Sequence, residues 1–271
     1  MSRLICRNLP VLLALLCLSG LPTSHAEVTV CDQEQPARFA GPTPEFFAAA
    51  STGNLVQLQR SLDEGISVDA PVPFPLPPEM ATLFTPRSRG GLLLNDPGAT
   101  ALMLAAAAGR TEAISALLAA KANREARTRS GMRPLDIAAE RNDTETMQLL
   151  LGVTPTSDAA HLSIAVDLAT QRAVLSRDGQ PVLETKVSSG KKEKPTPPGK
   201  YVVTQKYTEW HSSLYHNAKM PFFLRLSCSP VGLHAGVIPN YPASHGCVRL
   251  PAEIARKFYE IVPKGTLVVI Q

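Results

Sequence analysis

What the chain lacks narrows the field first. Its apolar run Leu9–Leu18 falls short of the roughly 20 residues that a membrane-spanning helix needs. Cysteine is scarce, five in 271 residues. Cys228, His234, His245 and Cys247 are metal-ligating types, but they lack the short Cys-x-x-Cys or His-x₃-His pairing that preorganises a tetrahedral site, so no metal is expected. Aromatics make up 5% of the chain, with a single tryptophan, and no stripe of interleaved basic and aromatic residues suggests nucleic acid. Nothing in the pattern calls for a cofactor.

The start of the chain reads as an export signal. Arg3 and Arg7 precede the apolar run, and Ser24-His25-Ala26 places small residues at both specificity positions of a signal-peptidase site, so residues 1–26 are expected to be removed. Leu16 before Cys17 is unlike a lipoprotein site. Cys31, Cys228 and Cys247 would remain, an odd number in a disulfide-permissive compartment. A Cys31–Cys228 bridge would leave Cys247 free; the alternative is that all three stay reduced.

The most informative residues lie near the end. Leu233-His234-Ala235-Gly236 is followed by Ser244-His245-Gly246-Cys247-Val248-Arg249-Leu250. A cysteine framed by small residues, with histidines nearby, is how a chain builds a thiol nucleophile beside a base, because the thiolate is the attacking species. Together with Pro195-Thr196-Pro197-Pro198-Gly199-Lys200-Tyr201 and Pro221-Phe222-Phe223-Leu224-Arg225, this segment resembles the catalytic domain of the L,D-transpeptidases (YkuD-type) over residues 161–271. Ala235 departs from the family pattern, standing where glycine usually follows the histidine. The interval from His234 to Ser244 is also short, with Pro239 and Pro242 tightening it.

The resemblance implies roles. Cys247 would be the nucleophile, and His234 the base that holds it as a thiolate ion pair and shuttles the proton. Gly246 would turn the chain so that backbone N–H groups meet the oxyanion, while Ser244 and His245 position the loop. Arg249 would fork to a substrate carboxylate or form a loop salt bridge. Trp210 and Tyr241 are candidate substrate walls. The implied reaction is peptidoglycan cross-linking of the 3–3 type by cysteine acyl transfer, in cell-wall biogenesis and remodelling. Water or a protein amine as acceptor would instead make a carboxypeptidase or an anchoring enzyme. A weakly active wall-binding scaffold is the non-enzymatic alternative.

Upstream, Thr100–Gly109 recurs as Arg133–Asn142, and Leu117-Leu118 as Leu150-Leu151, both offset by 33, with an earlier copy in Phe46–Asp69. This resembles ankyrin repeats, paired helices that bury their apolar faces on neighbours. The expected organisation is a multi-domain chain: N-terminal all-α ankyrin-like repeats over 41–152 with a proline-rich insertion at 71–97, a linker at 153–160, and a predominantly β catalytic domain over 161–271. Three weak repeats would need to pack on the catalytic domain or on a protein partner. Charge divides likewise. Residues 27–157 carry 11 Lys/Arg against 15 Asp/Glu, and residues 158–271 carry 14 against 8, which suits the basic half to anionic stem peptides. Export would place the protein in the periplasm or at the cell wall.

Overall fold

Helices form where the 33-residue pattern sets alanine and leucine at helical spacing between left-handed stops. The computed structural model describes residues 41–74, 93, 96–213, 217–239 and 241–271. The expected signal segment, Cys31 and most of the proline-rich insertion lie outside them. Three helix pairs follow one another: α1 (Pro44–Thr52) with α2 (Leu55–Asp63), α3 (Ala101–Ala108) with α4 (Thr111–Ala119), and α5 (Pro134–Glu140) with α6 (Thr144–Leu150). The first helix of each pair runs out at a residue of positive φ: Gly53 (82°), Gly109 (65°) and Asn142 (54°). Asparagine is the side chain that best tolerates this conformation after glycine, so the period survives the change. Arg110 donates to Ser51 O at 3.1 Å and Arg141 to Ala107 O at 2.7 Å, each satisfying a helix-end carbonyl in the preceding repeat. The insertion leaves and returns at one place, where Val72 N–H donates to Ala99 O at 2.7 Å and Pro71 bridges Thr100.

Beyond the short helix α7 (Asp158–His161), the periodicity changes to two. Leu162, Ile164 and Val166 are buried on β1 (Leu162–Asp167) and their neighbours are more exposed. A turn at Asp178-Gly179, both at positive φ, joins β2 (Arg172–Arg177) to β3 (Gln180–Lys186), as Asp-Gly hairpins require. Then come β4 (Gly199–His211), β5 (Lys219–Leu226), β6 (Gly232–Ala235), β7 (Val248–Leu250), α8 (Ala252–Ile261) and β8 (Leu267–Ile270). They build one eight-stranded mixed sheet of order β3-β2-β1-β8-β4-β5-β6-β7. The β1/β8 and β6/β7 pairs are parallel. Strand β4 changes partner along its length, pairing β8 through residues 199–202 and β5 from Val203 onward, with a register shift between Val203 and Gln205. Helix α8 buries Ala255 and Phe258 beneath β5 and β6, the strands that carry the site. Pro251 caps this helix.

The segment expected as a linker, 153–160, is not free. Ala159 is buried, and Val153 packs so closely on Gly265 that a Cβ there would come within 2.2 Å of its Cγ2. Gln148 of α6 donates to Gly265 O at 2.9 Å, and Val202 of β4 is buried in the repeat core. The array therefore packs on the sheet domain. Among the described residues no helix is long and apolar enough to cross a membrane.

Candidate active site

Parallel pairing of β6 with β7 sets His234 opposite Arg249, and Cys247 is the last loop residue before β7. A small residue, Ala235, fits the buried β6, while the glycine of this stretch falls at 236. There the Arg249 stem crosses the chain, and a Cβ would meet its Cδ at 2.9 Å. The departure at Ala235 thus leaves the bare position where the neighbouring strand needs it.

The loop before Cys247 is held by buried hydroxyls. Ser244 is 2% exposed; its Oγ accepts from Gly246 N–H at 3.1 Å and donates to Cys247 O. Thr196 Oγ1 donates to Gly246 O at 2.9 Å and accepts from Gly190 N–H at 2.8 Å. Ser188 Oγ donates to Tyr241 O at 2.9 Å. Ser244 thus ties Gly246 N–H and Cys247 O through one hydroxyl. Gly246 does not offer its N–H as a free oxyanion donor here, because Ser244 occupies it.

Cys247 Sγ donates to Pro230 O at 3.7 Å, in the turn between β5 and β6. Burial pushes its thiol up, against the opposing pull of Gly232 N–H, Arg249 and Arg225. His234 is 7% exposed; burial and the Arg249 charge push its imidazole down, against the Ala235 carbonyl that it contacts. A resting thiolate–imidazolium pair is thus disfavoured, since both charged forms are penalised by desolvation. Both shifts run toward the neutral forms. His234 Nδ1 lies 2.8 Å from Ala235 O, and a carbonyl only accepts, so Nδ1 carries the proton and Nε2 is left as the proton acceptor.

Two cavities meet at the sulfur. One, of about 340 Å³, is lined by Lys219, His234, Gly236 and Arg249, and the other, of about 260 Å³, by Trp210, Phe223, Arg225 and Val231; Cys247 and His245 line both. Arg249 and Trp210 therefore line different cavities, each of which includes Cys247. Tyr241 lines neither cavity and is 64% exposed, its carbonyl rather than its ring being used. His245 is exposed on the cleft wall. Cys228 faces away from the site, packing on the repeat core, so the four candidate metal ligands do not converge. Thr196 and Arg225 were missed as site residues although both stand inside the motifs that carry the resemblance; neither motif reveals which side chain turns toward the cysteine.

With this geometry in place, comparison with known proteins gives the class. The L,D-transpeptidase catalytic domain matches residues 162–270, and ankyrin repeats in three copies match residues 78–159. The chain thus carries an L,D-transpeptidase-like domain over residues 162–270, less than half its length, after an ankyrin-like array. Similar solved structures include an L,D-transpeptidase from Mycobacterium smegmatis (20% identity, TM-score 0.39, covering 41% of this chain and 58% of that one). One from Mycobacterium tuberculosis H37Rv has 23% identity and TM-score 0.39, covering 41% and 57%. A cysteine-to-serine mutant of the Enterococcus faecium enzyme has 27% identity and TM-score 0.37, covering 41% and 50%. The chain thus spans between 50% and 58% of the length of these three relatives. No match was found among curated proteins.

Proposed function

We propose that the protein is an exported cysteine L,D-transpeptidase that forms 3–3 cross-links between peptidoglycan stem peptides in the periplasm or at the cell wall. The observation that carries this reading is the placement of Cys247 where two cavities join, with His234 lining one of them and its Nε2 left to accept a proton. Two cavities suit a two-substrate exchange, one for the acyl donor and one for the acceptor amine.

The donor would be a tetrapeptide stem. Cys247 attacks the carbonyl of its third, diamino residue while His234 Nε2 takes the thiol proton, so the neutral pair becomes charged only as the C–S bond forms. His234 then gives that proton to the departing amine of D-alanine, leaving a thioester. The side-chain amine of a second stem attacks the thioester, loses its proton to His234, and the C–S bond breaks with the proton returned to sulfur. Loop N–H groups other than that of Gly246 would meet the oxyanion. Arg249 has no carboxylate partner among the described residues, which favours a substrate carboxylate over a loop salt bridge.

The test is muropeptide analysis with the wild type and Cys247→Ala. The wild type should release D-alanine and yield a cross-linked dimer, and the variant neither. Release without dimer would assign water as the acceptor and a carboxypeptidase. Binding without turnover would support the scaffold reading.

A further inference from the structure

The second cavity contains a cation that the reaction above does not use. Arg225 projects from β5 with its guanidinium carbon 4.7 Å from the Trp210 ring centre, 5.7 Å from Phe223 and 5.9 Å from Tyr207. Its Nε is buried with no hydrogen-bond partner, and no carboxylate pairs with it among the described residues. Aromatic faces attract a guanidinium but cannot accept its in-plane hydrogen bonds, so the fork is oriented while its buried Nε is left unsatisfied. An unpaired, partly desolvated cation costs stability unless an anion completes it.

We propose that Arg225, held in this aromatic frame, is a second carboxylate-binding residue, seating a peptide carboxylate in the Trp210 cavity while Arg249 serves the other cavity. The proposal rests on the stem-peptide reading and deepens it. Each cavity then recognises its own peptide by one arginine. A planar fork binds carboxylate in a bidentate way that a lysine cannot reproduce. The rings around it fix the fork without competing for its donors.

Trp210 is the only tryptophan in the chain, so its fluorescence reports this cavity alone. Full-length Cys247→Ala protein, which cannot turn over, would be titrated with a stem tetrapeptide and with the same peptide amidated at its carboxylates. The free acid should change Trp210 fluorescence saturably, with roughly ten- to a hundredfold higher affinity than the amide, the range expected for a hydrogen-bonded charge pair. Adding Arg225→Gln should remove that preference, and Arg225→Lys should retain only part of it. Equal binding of acid and amide to the Arg225-bearing protein would overturn the proposal without any substitution. So would an Arg225→Gln variant that weakened both peptides alike, the mark of lost packing. If the wild type failed to process stem peptides, the transpeptidase reading would fall; acetyl-D-alanine against its amide would still decide whether Arg225 binds carboxylate.

Discussion

The repeat array and the sheet domain spend their buried volume differently. In the array, buried hydroxyls bond within a few residues, Ser51 to Ala48 O and Thr146 to Asp143, and its specificity lies in local stops such as Gly109 and Asn142. In the sheet domain a group of buried hydroxyls, Ser188, Ser189, Thr196 and Ser244, stands beside the apolar core. Their partners are far along the chain: Thr196 reaches Gly246 and Ser188 reaches Tyr241. Buried polar groups are tolerated only when satisfied, and a satisfied network admits few alternative arrangements. The array is thus a repeating support, whereas the loop at Cys247 is held in one conformation by groups that contribute little to the core.

The two regions nevertheless meet at a place that matters. The turn between β5 and β6 presents Pro230 O and Gly232 N–H to the Cys247 sulfur. On its other side Cys228 packs on the repeat core and contacts Asp136 of α5, whose carboxylate Arg133 holds at 2.9 Å. One turn therefore belongs to both regions.

The sharpest division between them is expected from His234→Ala. Transfer should fall by about 10²–10⁴, the usual yield of a positioned general base. A variant retaining most of its activity would remove His234 from the reaction.

Next, Gly265 and Gly65 have nearly the same positive φ, 94° and 86°, but only Gly265 is pressed by Val153 across the interface. Gly65→Ala, which meets open space, should cost roughly 1 kcal/mol, from backbone strain alone. Gly265→Ala should cost roughly 2–5 kcal/mol, strain plus overpacking. Equal denaturation midpoints would mean that the array is not firmly seated.

A third measurement follows the sulfur. Because burial raises the Cys247 thiol, iodoacetamide should react with a half-rate pH at or above the ordinary thiol value of about 8.5. Arg249→Gln removes a charge that favours the thiolate and should move the profile upward again. A midpoint well below that of a free thiol would restore the resting ion pair.

The smallest effect concerns Cys228, which burial, and then Asp136, push up to about 11. A group with a raised folded pKa adds stability that is fully present below its unfolded value of about 8.5 and is lost as pH rises through the folded one. Stability should therefore decline between those limits, and Cys228→Ala should flatten this alkaline limb in denaturant titrations. An unchanged limb would mean that the thiol is not buried against the array.

Much of this was legible in residue order. The 33-residue period is a local pattern, because helices and tight turns are fixed by neighbours a few positions away. The motif Ser244–Arg249 likewise pointed to the catalytic-domain family whose model matches residues 162–270. The roles inside the motif were less legible: Gly246 N–H is taken by Ser244, Tyr241 lines neither cavity, and the thiol and imidazole are shifted toward neutrality. Each depends on burial or on a partner elsewhere in the chain.

The sequence by itself determined two regions, their repeat and strand periods, the cysteine and the histidine. Tertiary structure alone decided that the array seats on the sheet, that Arg225 and Arg249 line two cavities that share Cys247, and that Thr196 holds the loop. The physical reason is range. Propensity and periodicity act within a few residues, whereas desolvation, cation–aromatic contact and strand pairing arise only when distant segments are brought together.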